Sequence, residues 1–174
     1  SAVRDHSRGE RHFGKWGGHV WTYIIWPESR RAVAVFAMWS PKLEPMSSLA
    51  VVMENGRTEI SNDFCITGMS KPGGHPNEIL LQLERLDGSV IELKGEVQHT
   101  VTMTYVEPNH NLNGVYLDPR EDIEATIADE SIVRWEWADG EVGYSNFERG
   151  FRPSSLPLVD IPINPGSRFA KAGS

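Results

Sequence analysis

Apolar residues along this chain recur at every second position, the spacing of strands, and only Pro119–Ile127 could hold a weak helical turn. His19–Trp26 (HVWTYIIW) and Ala32–Trp39 (AVAVFAMW) are aromatic and β-branched runs on either side of a polar Pro27–Arg31 tip, which predicts a hairpin. Leu49–Met53 and Arg57–Ile60 flank Asn55-Gly56, a strong signal for a two-residue turn. Ile79–Leu86 and Val90–Val106 form the next pair. A two-residue turn at Asp87-Gly88 would set Leu81 against Lys94, so a three-residue loop, Asp87-Gly88-Ser89, is expected. It pairs Leu83 with Leu93, Leu81 with Gly95 and Ile79 with Val97.

The strand that follows is long. Ile91, Leu93, Gly95, Val97, His99, Val101, Met103 and Tyr105 share its apolar face, with Thr100, Thr102 and Thr104 on the polar one. Such a length calls for a bend, expected at Gly95. A last hairpin turns at Asp139-Gly140. A two-residue turn there pairs Trp137 with Val142, Trp135 with Tyr144, Val133 with Asn146 and Ser131 with Glu148, and turns Arg134 and Glu136 to solvent. Eight to ten strands joined by short turns predict an all-β, up-and-down antiparallel barrel over residues 1–152. The proline-rich residues 153–174 follow as an extended or disordered tail. A β-sandwich is the rival fold, and its crossovers need longer connections than most of those present.

Charge and composition narrow the function classes. The 17 basic and 24 acidic side chains give a net charge of −7, which disfavours nucleic acid and anionic membranes as partners. No apolar run approaches the ~20 residues that span a bilayer. One cysteine, Cys65, excludes an internal disulfide framework and a cysteine-rich zinc site. The six histidines are scattered with no His-x-x-x-His pair, so no metal and no cofactor is expected. With no export signal and a free thiol, the expected location is the cytoplasm; Ser1 in place of a methionine suggests an excised or processed piece.

Candidate chemistry lies at both ends of the predicted barrel. The segment Asp5–Trp16 packs two histidines, two glycines and charged residues into a short polar stretch suited to a fixed turn. Asp5, His6, Arg11 and His12 are acid/base and orienting candidates there, since a histidine beside an aspartate is held in one tautomer. Glu148, inward by the register above, should have Arg149, Arg11 or a histidine nearby or else a raised pKa; in an apolar site with a raised pKa it is a general-acid candidate. Trp16, Trp21, Tyr23, His99, Trp135, Tyr144 and Asn146 are candidates to line a lumen for an apolar or aromatic ligand. Their plainer roles are core packing for the aromatics, a core histidine for His99 and a rim salt bridge for Glu148.

Two stretches carry a family likeness. Asp5-His6-Ser7-Arg8-Gly9-Glu10-Arg11-His12, and Gly143-Tyr144-Ser145-Asn146-Phe147-Glu148-Arg149-Gly150 at the closing strand, resemble the lipocalin-like (calycin-type) domains of the carotenoid 1,2-hydratase (hydroxyneurosporene synthase) and Diels–Alderase superfamily, in its bacterial uncharacterised branch. Arg8 stands where tryptophan is common in that motif. The resemblance implies one barrel of a tandem pair, with a second barrel or another copy as partner. It also implies a pocket holding Asp5, His6, Arg11 and Glu148. The function expected is cofactor-free acid/base chemistry on a hydrophobic small molecule, of the hydratase, lyase or isomerase type. The alternatives are a non-catalytic binder of such a molecule and an accessory interaction domain.

Overall fold

The structure is a computed structural model that describes residues 17–42, 44–70, 76–105, 126–151, 164 and 166–171. Nine antiparallel strands account for most of them: β1 (Gly18–Trp26), β2 (Arg31–Trp39), β3 (Pro45–Glu54), β4 (Arg57–Ile60), β5 (Asp63–Ser70), β6 (Pro76–Glu84), β7 (Val90–Tyr105), β8 (Thr126–Glu136) and β9 (Val142–Phe151). They form one curled sheet in the order β4-β3-β2-β1-β9-β8-β7-β6-β5, a half-barrel. Every pair of neighbours is consecutive in sequence except β1 and β9. The topology is thus an open up-and-down sheet whose first and last strands meet in its middle and whose seam falls between the unpaired edges of β4 and β5.

That seam is stitched at one end. Ser61 and Asn62 carry the chain from β4 to β5; Ser61 N–H donates to the Ala50 carbonyl (2.8 Å) and Asn62 N–H to the Glu84 carbonyl (2.9 Å). Arg85 reaches across to Glu54 (2.8 Å) and Glu59, while Arg31 bridges Glu54 (3.0 Å) and Asp139 (2.5 Å). The same rim is sealed by Trp26 and Trp137, edge to face at 4.8 Å, with the Arg31 guanidinium over the Trp137 ring. We call this the closed end. Beyond it, Asn164 donates to the Phe64 carbonyl (2.8 Å) and Ser167 to Asp63 (3.0 Å), so the short 3-10 helix Arg168–Lys171 docks on β5 and covers part of a free strand edge.

Inward side chains fill the half-barrel. Val20, Ile24 and Trp26 from β1 meet Val33 and Val35, Val52, Phe64 and Ile66, Leu81 and Leu83, Leu93, Val133 and Trp135, and Phe147 in one buried cluster. The expected strand pairs at Pro27–Arg31 and Asn55-Gly56 form, and Asn55 and Gly56 both take positive φ (53° and 72°), as a two-residue hairpin turn of this hand requires.

Two registers differ from expectation, for one reason. A three-residue hairpin loop puts its left-handed residue last. Gly88 (φ 82°) and Gly140 (φ 87°) are therefore the final residues of the loops Leu86-Asp87-Gly88 and Ala138-Asp139-Gly140, closed by Arg85–Ser89 and Trp137–Glu141 backbone bonds. The first loop has the expected length but sits one residue earlier, so Leu83 pairs with Ile91, Leu81 with Leu93 and Ile79 with Gly95. Apolar still faces apolar. The second loop is one residue longer than expected, and Trp135 pairs with Gly143, not Tyr144. A shift of one residue exchanges the faces of β9: Ser145, Phe147 and Arg149 point inward, Tyr144, Asn146 and Glu148 outward.

The bend in β7 is also displaced. Gly95 continues the ladder, its missing Cβ leaving room for the Trp135 ring; a Cβ there would lie 2.8 Å from it. The irregularity comes between Val97 and His99, where a bulge at Gln98 turns His99 and Val101 outward and Thr100 and Thr102 inward.

Candidate functional site

Because of these two irregularities, β8 and β9 send adjacent charges to opposite faces of the same sheet. Glu148 faces out while Arg149 faces in; Glu130 faces out while Asp129 faces in. Each pair of faces collects a polar cluster.

On the outer face, Glu148 lies across from Trp21 on one neighbouring strand and Glu130 on the other. His19, two residues before Trp21, places its Nε2 2.6 Å from Glu148 Oε1, with the two side chains 18% and 29% exposed. Asn146 Nδ2 donates to Glu130 Oε2 at 2.5 Å. The hydrogen bond from His19, reinforced by its charge and opposed by burial, holds the Glu148 carboxyl below the ordinary glutamate value. Glu130 is displaced the other way. Burial and the nearby Glu148 charge push its pKa up, against the hydrogen bond from Asn146 and the charge of His19. Two carboxyls on adjacent strands are therefore driven apart in acidity, one held as a carboxylate and one retaining its proton to higher pH. Such a split is how paired carboxyls divide base and acid roles.

On the inner face, Arg149 donates to Asp129 at 2.7 Å, both buried, and Arg149 stacks over Phe151. Thr102 donates to the other Asp129 oxygen (2.8 Å), Thr100 bonds Ser131 (2.9 Å), Thr22 donates to the Asn146 carbonyl (2.9 Å), and Trp135 Nε1 donates to Ser145 (2.8 Å). Thr22 and Ser131 are essentially inaccessible to solvent. Arg149, Asp129, Ser131 and Ser145 are buried there, and Thr102 at the edge of the cluster is exposed.

The sequence-derived candidates distribute as follows. Asp5, His6, Arg11, His12 and Trp16 lie outside the described residues. Glu148 was expected in the lumen and is on the outer face; of the partners expected for it, Arg149, Arg11 or a histidine, the described residues give a histidine, His19. Trp21 and Tyr23 share a face with His19, as expected, but it is the outer one; the lumen side of β1 carries Val20, Thr22, Ile24 and Trp26. Trp135 is fully buried inside, and Tyr144, expected beside it, is exposed on the other face. Asn146 faces out and holds Glu130. His99 is neither in the core nor in the lumen; the bulge leaves it exposed. Among the described residues His19, Glu130 and Asp129 complete the two clusters without having been site candidates, and Arg149, considered as a partner for Glu148, pairs with Asp129. A signal for the last two existed: charges interrupting the inward positions of strands must be paired.

No group of three His, Cys, Asp or Glu side chains among the described residues could hold a metal ion. The Cys65 thiol is buried, with its pKa pushed up to about 11 by burial and by Asp63. No helix among the described residues is long and apolar enough to cross a membrane. No protein-family model matches this chain. No curated protein and no solved structure matches it either. The outer-face cluster of His19, Glu130, Asn146 and Glu148 is then the arrangement to which chemistry can be assigned from its own geometry.

Proposed function

We propose that this chain carries out cofactor-independent proton transfer on a hydrophobic small molecule at the outer-face cluster. Glu148, kept ionised by His19, is the base; Glu130 is the acid; Asn146 fixes the Glu130 carboxyl, and Trp21 and Tyr23 offer flat apolar contact beside them. Proton removal at one carbon by Glu148 and delivery at another by Glu130 carries out isomerisation. In elimination Glu130 instead protonates the departing hydroxyl, which leaves as water, and hydration uses the same pair, with Glu148 taking the proton of the attacking water. His19 stabilises the carboxylate between steps. The observation that carries this reading is the 2.6 Å His19–Glu148 contact beside a second carboxyl of opposite displacement. The likeness of residues 5–12 and 143–150 to lipocalin-like hydratase domains supports the same class of reaction, with Glu148 common to both arguments.

The test begins with mass spectrometry of small molecules carried through native purification, followed by turnover assays on what is found. Glu148→Gln is expected to abolish turnover while the melting curve stays near that of the parent. Unchanged turnover in that variant overturns the assignment. A non-catalytic binding domain is the second reading, favoured by exposed Ile132 and Tyr144 beside the cluster. It predicts a retained ligand that is chemically unaltered by the protein.

A further inference from the structure

The carboxyl pair fixes where a substrate reacts, and the register of the sheet fixes what lies beside it. Strand pairing sets Glu130, Glu148, Trp21, Phe36 and Leu49 directly opposite one another on β8, β9, β1, β2 and β3, so one row crosses five strands. Two residues along, Tyr23, Ala34 and Val51 form a second row on β1, β2 and β3, and Asn146 stands two residues from Glu148 on β9. These side chains face outward, since the core takes their strand neighbours Val20, Val35, Ala50 and Val52. From β1 to β3 neither row holds a charged side chain. Rows two residues apart are separated by about 6.8 Å, twice the rise per residue. A line of carbon atoms between them lies about 3.4 Å from each, close to the contact distance between carbons. That is the width of one unbranched hydrocarbon chain. Two contacts shape this furrow. Asn146 Nδ2, in the second row, donates across it to Glu130 Oε2, in the first, at 2.5 Å, and closes that end with polar groups. Along one wall the Tyr23 hydroxyl reaches Met53 Sδ on β3 (3.8 Å), which carries the ring across β2 and away from Trp21. The far end opens past Leu49, which is 44% exposed.

From this we infer that the substrate is an uncharged amphiphile with a hydroxyl or carbonyl head at Glu148 and Glu130 and an unbranched tail lying in the furrow from Trp21 to Leu49. The head follows from the proton-transfer reading, on which this inference rests; the tail follows from strand register. Three strand spacings from Glu148 to Leu49 span about 14 Å. A zigzag of bonds of about 1.5 Å covers that length with about a dozen carbons. Charge selects the head. A carboxylate head would meet Glu148 on a chain of net charge −7. A cationic head finds no unmatched carboxylate, since His19 is the partner of Glu148 and Asn146 that of Glu130. Hydroxyl and carbonyl are the neutral groups on which elimination, hydration and isomerisation act. Phe36 and Leu49 are then the residues that set the preferred chain length.

Isothermal titration calorimetry of the full chain with n-hexanol, n-octanol and n-dodecanol tests it. A fully buried methylene raises affinity about fourfold and one lying in an open furrow about twofold, so n-dodecanol should bind about 60-fold more tightly than n-hexanol. Strand spacing puts the end of n-octanol at Phe36 and the end of n-dodecanol at Leu49. Leu49→Ser should therefore weaken n-dodecanol about tenfold and n-octanol less than about twofold. Leu49 is exposed, so circular dichroism and the melting midpoint of that variant should match the parent. Phe36→Ala should weaken both ligands. Dodecanoate should bind at least about tenfold more weakly than n-dodecanol, because its charge meets Glu148. Affinity that does not climb with chain length overturns the inference. So does a climb indifferent to both Leu49→Ser and Phe36→Ala, which would put the chains elsewhere on the protein. Dodecanoate binding as tightly as n-dodecanol overturns the uncharged head. Glu148→Gln should keep the chain-length dependence. A failure of the proton-transfer assignment, read as retained turnover in that variant, is thus distinct from a failure of the furrow.

Discussion

The inner ion pair offers a sharp test of the β8–β9 register. Arg149 and Asp129 are buried to 8% and 2% side-chain exposure and meet at 2.7 Å only because the three-residue turn puts both on the inward face. Replacing one partner strands a charge in the core, at a cost of about 3–5 kcal/mol. Arg149→Met and Asp129→Leu should each lose that much. The double variant removes both charges and substitutes apolar volume, which is often close to neutral. Two smaller losses can be named among the described residues. The Arg149–Phe151 stacking is worth about 0.5–2 kcal/mol. Thr102 loses its acceptor, but it is exposed and can bond water. The loss of the pair itself should therefore cost the double variant only about 1–2 kcal/mol, and the double should lie well above the sum of the singles, a coupling of several kcal/mol. With a urea m-value of about 2 kcal/mol/M, each single variant moves the unfolding midpoint down by about 1.5–2.5 M and the double by less than about 1 M. Equilibrium urea unfolding of all four proteins measures this. A double variant as unstable as the sum of the singles would refute the buried pair.

Other consequences follow from single residues. Gly140→Ala and Gly88→Ala meet no steric neighbour, so each should cost only the left-handed backbone penalty of about 1–2 kcal/mol, read in the same unfolding assay. Gly95→Ala should cost about 1–3 kcal/mol by a different route, since its Cβ overlaps the buried Trp135 ring, and Trp135→Leu should relieve part of that penalty. Cys65, with a thiol pKa of about 11, should react with a disulfide reagent at pH 8 only as fast as the native state opens. The depressed Glu148 pKa contributes stability above the ordinary glutamate value that is lost as pH falls through the folded value. Acid unfolding of His19→Leu should therefore show a smaller pH dependence across that window than the parent.

Strand content was legible in the sequence because period-two patterning survives without any knowledge of partners. The Asn55-Gly56 turn was legible because both residues tolerate positive φ. Face assignment was less secure. At Gly88 the shifted loop moved the pairing by two and changed no face, whereas at Gly140 one extra loop residue turned Glu148 from the lumen to the surface. The rule that glycine ends the loop would have fixed both. The bulge at Gln98 has no comparable sequence mark: the polar and apolar residues of β7 alternate straight through it, so His99 read as inward. A histidine beside Glu148 was one of the expected partners, but which one was not legible, because His19 is 129 residues away and the sheet order brings β1 beside β9.

Two neighbouring carboxyls differ in acidity, Glu148 lowered by the His19 hydrogen bond and Glu130 raised by burial. Carboxyl-carbon NMR titration of the folded chain, with Glu130 and Glu148 assigned by Glu→Gln substitution, measures the difference without a substrate. Glu148 should titrate below the ordinary glutamate value and Glu130 above it, and His19→Leu should move Glu148 upward as burial takes over. Two carboxyls titrating together at the ordinary value, indifferent to the loss of His19, would contradict the proposed division into base and acid.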